Sequence, residues 1–170
     1  EILMEFARLV KRDRESLAKT LSDETGKPIK EALAEIDNIQ IGVPAYVEKA
    51  KHDYGNVIYR GTEAGQENTI QYTIQQPLGV MVAIIPFNFP SDIFINKIPP
   101  ALIMGNSCIL KPASVNPLTL TKYVELLKEA GIPDGVMQVV HGSGGVVGTA
   151  LTSNPDVAIV SLTGSTEAGI

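Results

Sequence analysis

Leu78-Gly79-Val80-Met81-Val82-Ala83-Ile84-Ile85-Pro86-Phe87-Asn88-Phe89-Pro90 is the stretch on which the fold turns. From Val80 to Ile85 six apolar residues run without polar alternation. Such a strand is covered on both faces, as strands of parallel sheets are. A proline-bounded turn follows, and residues 90–104 then read as a helix. The same alternation continues downstream. A short apolar strand spans residues 107–110, and a helical pattern spans 117–130, stopped by Gly131 and Pro133. A strand at 136–140 precedes a helix at 145–151, which ends at Asn154-Pro155. A last strand covers 157–162. Strand and helix alternating over short connections predict an α/β fold, a parallel sheet wound with helices.

Upstream of Leu78 the pattern differs. Residues 2–21 place Ile2, Leu3, Phe6, Leu9, Val10, Leu17 and Leu21 at mostly helical spacing, predicting one amphipathic helix. Thr25-Gly26-Lys27-Pro28 breaks it. A second helix is predicted to about residue 51, with Ile29, Leu33, Ile36, Ile39, Val43 and Val47 on one side. Pro44 lies inside it as a potential kink. Residues 53–77 read as a β-hairpin. Val57, Ile58 and Tyr59 form one strand, and residues 61–68 are polar and turn-like. Ile70, Tyr72 and Ile74 then alternate with Thr69, Gln71, Thr73 and Gln75. A lone hairpin is marginal in water, so its apolar side calls for a partner. Three segments result: helices over 1–52, a hairpin over 53–77 and a wound sheet over 78–170.

Composition narrows the function. The chain has 170 residues, enough for one domain with a core. With 44% apolar residues and a net charge of only -5 it is not a disordered chain. The mild acidity argues against nucleic acid as the partner. One Cys makes no internal disulfide and fits a reducing, cytoplasmic setting. Two His and one Cys, far apart, make a metal site improbable. The longest apolar run is too short for a bilayer, and no signal peptide pattern opens the chain. The chain starts at Glu1 inside a helical pattern and stops at Ile170 just after a Gly-bounded turn, so both ends read as cuts within a larger protein. Alone, such a piece is expected to aggregate or unfold.

Parallel sheets bind ligands in the loops at the carboxyl ends of their strands. Four such loops are predicted. The first holds Pro86, Phe87, Asn88, Phe89 and Pro90. Its prolines restrict the backbone, and the Asn88 amide can donate to a developing oxyanion. The competing reading is a helix cap. The second holds Lys111, Pro112, Ala113 and Ser114 directly after an apolar strand. Lys111 can reach a ribose hydroxyl or phosphate, or be an ordinary solvated lysine. The third, from His141 to Gly145, is an imperfect dinucleotide fingerprint, because its sixth position is Val147. The competing reading has Gly142 and Gly144 serve only the turn and close helix packing. The fourth holds Gly164, Ser165 and Thr166 at a helix start, where free N–H groups bind phosphate or are capped by Ser165. Thr25-Gly26-Lys27 is no phosphate loop. Cys108 lies within a strand and reads as a packed, inert thiol. His52 and His141 have no evident partners. Lys97 follows Asn88 on the next helix and faces either the site or solvent.

Taken in order, these segments resemble the aldehyde dehydrogenase superfamily. The resemblance is carried by Glu24-Thr25-Gly26-Lys27-Pro28, Gln76-Pro77-Leu78-Gly79-Val80, Pro86-Phe87-Asn88-Phe89-Pro90, Pro99-Pro100-Ala101-Leu102 and Gly105-Asn106. It continues through Leu110-Lys111-Pro112-Ala113-Ser114, Gly131-Ile132-Pro133-Asp134-Gly135-Val136 and Leu162-Thr163-Gly164-Ser165-Thr166-Glu167. It implies a Rossmann-like domain, preceded by helices and by strands of an oligomerisation domain. It also implies oxidation of an aldehyde with NAD or NADP. In the family a Cys thiolate forms a thiohemiacetal, hydride leaves to the nicotinamide, and a Glu serves as base for hydrolysis. Asn88 matches the oxyanion-stabilising Asn, and Lys97 matches a Lys of the proton-transfer network in some members. Lys111, Gly164 and Ser165 match cofactor-binding positions. The resemblance likewise implies a homodimer or homotetramer.

Two departures stand out. The family's nucleophilic Cys and general-base Glu have no counterpart before residue 170, so this segment alone is expected to be inactive. Position 114 is Ser where NAD-preferring members often carry Glu, which predicts tolerance of, or preference for, NADP. Two alternatives stay open: an enzyme that passes the acyl group to coenzyme A, and a relative that kept the fold but lost the reaction. The particular aldehyde is not legible.

Overall fold

The computed structural model describes residues 1–58, 64–65 and 67–169. Four helices open the chain: α1 (Ile2–Arg12), α2 (Arg14–Thr25), α3 (Ile29–Asp37) and α4 (Ile39–Ala50). The expected helix over 2–21 is therefore two. Asp13 leaves helical geometry at φ -97°, ψ 12°, and its carboxylate is held by the Arg12 guanidinium at 2.7 Å. The break lets α1 pack on α4 while α2 packs on α3. The second expected helix is also divided, at Asn38 and not at Pro44, which α4 accommodates in its interior. Gly26 ends α2 with φ 74°, the left-handed cap that L side chains resist.

A two-residue antiparallel pair follows, β1 (Val57–Ile58) with β2 (Gln71–Tyr72). It is shorter than the alternation predicts. Val57, Ile70, Tyr72 and Ile74 are all exposed, so neither side of this ribbon is covered by the described residues. Tyr59 and part of the turn expected over residues 61–68 lie outside the described residues.

The remainder forms the wound sheet. Its elements are β3 (Val80–Ile85), α5 (Pro90–Ile103), β4 (Ser107–Pro112), α6 (Leu118–Glu129) and β5 (Met137–Val139). Then come a π-helical turn over Gly144–Gly148, α7 (Thr149–Thr152), β6 (Val157–Leu162) and α8 (Thr166–Gly169). The four strands are parallel in the order β5-β4-β3-β6. β3 and β4 are central and mostly buried, as their unbroken apolar runs predict. β6, at an edge, leaves Ala158 and Val160 exposed. The α-helix expected over 145–151 begins instead as the π-helical turn, where three glycines in five residues weaken ordinary helical preference.

One core joins these parts. α5 packs on β3 and β4 and α6 on β5, while α1, α2, α3 and α4 pack outside α5 and α6. Phe6 of α1, Phe94 of α5 and Tyr123 of α6 meet with ring centroids 5.1–5.9 Å apart, all fully buried. Offset and edge-on aromatic pairs like these add specificity to apolar burial. The N-terminal helices thus share the core of the sheet domain.

Candidate functional site

In the order β5-β4-β3-β6 the chain turns back at β3, so the winding direction reverses between β3 and β6. Ligands of wound sheets bind beside such a reversal, at the carboxyl ends of the strands. The first and fourth predicted loops both lie there, and Thr163 N–H donates to the Ile84 carbonyl at 3.2 Å across the gap. Pro86 is half-buried, and Phe87, Asn88 and Phe89 are exposed.

The Asn88 side chain makes no hydrogen bond among the described residues, and the residue preceding α5, Phe89, supplies no side-chain cap. The helix-cap reading of Asn88 is therefore not what forms. Its peptide, by contrast, is tightly held. Lys27 Nζ donates to the Asn88 carbonyl at 3.1 Å and lies 4.4 Å from the centre of the Phe89 ring. Asn116 Nδ2 donates to the Phe87 carbonyl at 2.9 Å. Ser91 N–H donates to Glu35 Oε1 at 2.7 Å, and Glu35 Oε2 pairs with Lys27.

Lys97 sits two turns into α5. Its ammonium donates to Ser161 Oγ of β6 at 2.7 Å, so it points across the strand reversal and not out to solvent. Partial burial pulls its pKa below the ordinary lysine range.

The second loop differs from expectation. β4 extends through Pro112, so Lys111 lies inside the strand and Pro112 is its last residue. Lys111 is only 3% exposed, which overturns the solvated-lysine reading, and desolvation lowers its pKa. Its Nζ donates to the Pro112 carbonyl at 3.1 Å and pairs with no acid among the described residues. An ammonium has three donors, so this buried cation keeps capacity for hydroxyl or phosphate oxygens. Ala113 is half-buried, and Ser114 is exposed with its hydroxyl donating to the Gly142 carbonyl at 3.0 Å. That bond ties the second loop to the third.

Within the third loop Gly142, not Gly144, is the glycine the turn demands. Its φ is 148°, and a Cβ there would lie 2.4 Å from Val147 Cγ2. Gly144 is exposed, with open space around the position of a Cβ. In the fourth loop Gly164 is exposed, and Ser165 Oγ accepts the Ala168 N–H at 3.2 Å. The cap by Ser165 forms, and it is compatible with phosphate binding at the same turn.

Sequence reasoning passed over Glu35, Asn116 and Ser161, and set Lys27 aside with the rejected phosphate loop. Glu35 had a visible signal: it lies between buried Ala32 and Ile36 on the inner face of α3, an unusual place for an acid. Asn116 and Ser161 had none. Cys108 is buried, and burial pushes its thiol up to about 12, so it is not a thiolate at neutral pH. The histidines do find neighbours: His52 Nε2 is 3.3 Å from Glu48, and His141 Nε2 is 3.4 Å from Thr121 Oγ1.

A parallel sheet wound with helices, its spare polar groups gathered at the strand ends beside the reversal, defines the class, that of the Rossmann-type folds that bind ligands at this edge. The chain belongs to the aldehyde dehydrogenase family, whose sequence model matches residues 1–170. It is 41% identical over 168 residues to the NADP(+) succinate-semialdehyde dehydrogenase of Escherichia coli (strain K12), covering 99% of this chain and 34% of that protein. Among solved structures, the NADP-dependent glyceraldehyde-3-phosphate dehydrogenase of Bacillus halodurans complexed with NADP superposes with a TM-score of 0.94 at 33% identity. The match covers 99% of this chain and 36% of that one. Betaine aldehyde dehydrogenase of Staphylococcus aureus in complex with NAD+ gives 0.92 at 32% identity, covering 99% and 33%. The chain thus spans about a third of the length of the curated relatives it matches and corresponds to the N-terminal portion of the family. No helix among the described residues is long and apolar enough to cross a membrane.

Proposed function

We propose that this chain forms the cofactor-holding and oxyanion-stabilising part of an NAD(P)-dependent aldehyde dehydrogenase. The observation that carries the reading is Asn88: an exposed amide, unpaired among the described residues, on a loop whose peptides are anchored beside the strand reversal. An amide that the protein itself leaves unbonded is free to donate to the aldehyde oxygen as that oxygen gains charge. A fixed donor of this kind contributes about 2.7–4 kcal/mol to a transition state. Cys108, the one cysteine of the sequence, is buried and protonated, so on this reading the nucleophilic thiolate is not supplied by these 170 residues.

A nicotinamide dinucleotide, when bound, supplies the acceptor for the hydride that leaves the aldehyde carbon. Lys111 and Ser114 hold its polar groups at the end of β4, with Pro112 and Ala113 shaping the wall between them. Pro86, Phe87, Gly144, Gly164 and Ser165 contribute backbone and surface at the remaining loops. Ser114 carries no charge to repel a phosphate, which supports use of NADP as well as NAD. Lys97, aimed across β6 with a lowered pKa, is placed to hold or pass a proton. The uncovered β1–β2 ribbon is the surface through which subunits pair into a dimer or tetramer.

The test is Asn88→Ala in the full-length enzyme. We expect kcat to fall about 10²–10³-fold while cofactor affinity is retained. Unchanged turnover would remove Asn88 from the chemistry.

A further inference from the structure

The Asn88 amide owes its position to its backbone, because the side chain has no bond of its own to the described residues. Three anchors fix that backbone within five residues. Asn116 holds the Phe87 carbonyl, Lys27 holds the Asn88 carbonyl, and Glu35 holds the Ser91 N–H. Two of these anchors form one unit. The Lys27 and Glu35 side chains are only 10% and 2% exposed, and they pair with each other.

Lys27 is itself built in. Its N–H donates to Thr25 Oγ1 at 3.3 Å and its carbonyl accepts from Ser22 Oγ at 2.7 Å. The left-handed cap at Gly26 turns the chain so that its ammonium reaches the Asn88 loop, 61 residues away in sequence. A buried ion pair is a poor stabiliser, since desolvating both charges offsets most of their attraction, and apolar replacement of the whole pair is often neutral. What such a pair supplies is direction: both charges must meet, and the Asn88 carbonyl and Ser91 N–H are fixed with them.

We propose that the Lys27–Glu35 pair is a positioning device for the oxyanion donor, acting on the reaction only through Asn88. Resting on the reading of Asn88 given above, this assigns a role to two residues that touch neither aldehyde nor cofactor. Displacement of a catalytic group by about 1 Å can cost about 10²-fold, so loosening one of its anchors is visible in turnover.

The experiment is a cycle in the full-length enzyme. Lys27→Met combined with Glu35→Gln leaves no unpaired buried charge and keeps an acceptor for Ser91. The expected result is a fall in kcat of about tenfold or more, with KM for aldehyde and cofactor affinity within about twofold of wild type. In the Asn88→Ala background the same two substitutions should change kcat by less than about twofold, because the group they position is gone. Lys27→Leu combined with Glu35→Gln, which likewise buries no charge and removes the donor to the Asn88 carbonyl, is the second variant if the first does not fold, with the same two expectations. Unchanged kcat in the Asn88 enzyme overturns the proposal. So does an equal fall in both backgrounds, which would mean that the pair acts independently of Asn88. Loss of the Asn88 reading itself has its own signature, an Asn88→Ala enzyme with normal kcat, and the positioning role falls with it.

Discussion

Glu24 offers a direct probe of how the N-terminal helices serve the sheet domain. Its two carboxylate oxygens accept the Leu118 N–H at 2.7 Å and the Thr119 N–H at 2.9 Å. These are orphan donors of the first turn of α6, and the residue at the cap position, Pro117, has no side-chain acceptor to offer. Glu24 is therefore an N-cap supplied from 94 residues away. A local cap is worth about 1 kcal/mol, and a carboxylate facing the positive end of a helix adds about 0.3–1 kcal/mol. Leu118 is exposed, so water replaces part of what is lost. Glu24→Ala should then cost about 1–2 kcal/mol, and Glu24→Gln, which keeps one acceptor without the charge, about half as much. The assay is hydrogen–deuterium exchange on the full-length protein, read on peptides that cover the start of α6. Opening of that turn should accelerate about 5–30-fold in Glu24→Ala. Asp134→Ala, at an exposed position remote from any helix start, is the control. If Glu24→Ala changes α6 exchange no more than this control does, capping from α2 contributes nothing and the reasoning fails.

Two further predictions concern charge. Lys97 and Lys111 both have folded-state pKa values below the ordinary lysine value of about 10.4 because burial disfavours their charge. Between the lowered and the ordinary value the unfolded chain binds more protons, so stability rises with pH across that alkaline window and is least below it. Lys97→Met should flatten the rise in unfolding midpoint with pH, and an unchanged profile would contradict the desolvation argument. Ser114→Glu should shift the ratio of kcat/KM for NADP to that for NAD towards NAD by at least about tenfold, the equivalent of about 1.4 kcal/mol. An unmoved ratio would show that position 114 does not face the adenosine ribose.

The wound sheet was legible because its signals are local. Val80 to Ile85 has no polar residue to place on a solvated face, and Gly131 with Pro133 cannot continue a helix. The boundaries that were missed have long-range causes. Asp13 breaks the first helix so that α1 can reach α4 and α2 can reach α3 while both stay on α6, which no window of sequence contains. β4 runs on through Lys111 because β3 is long enough to pair with it as far as Ile85 and Pro112. That pairing also explains why Lys111 is buried, when a lysine at a strand end would ordinarily be solvated. Asn88 was legible as a candidate because two prolines and two aromatics frame it. Its anchors were not, since Lys27, Glu35 and Asn116 come from three separate stretches and meet only in the fold.

Glu24-Thr25-Gly26-Lys27-Pro28 looks, as sequence, like a helix stop. In the fold Glu24 caps α6 from one side of the Gly26 turn, and Lys27 grips the Asn88 peptide from the other. Glu35, one helix later, satisfies the N–H of Ser91 at the start of α5. α5 and α6 thus lack a side-chain cap of their own and take a carboxylate from the N-terminal layer. A helix start left open in this way keeps its local residues free for other work. Had Asn88 been required to cap α5, its amide would have been committed to the helix start. Moving the capping function to α2 and α3 leaves the Asn88 side chain unbonded among the described residues, and it ties the N-terminal helices to the loop that follows β3.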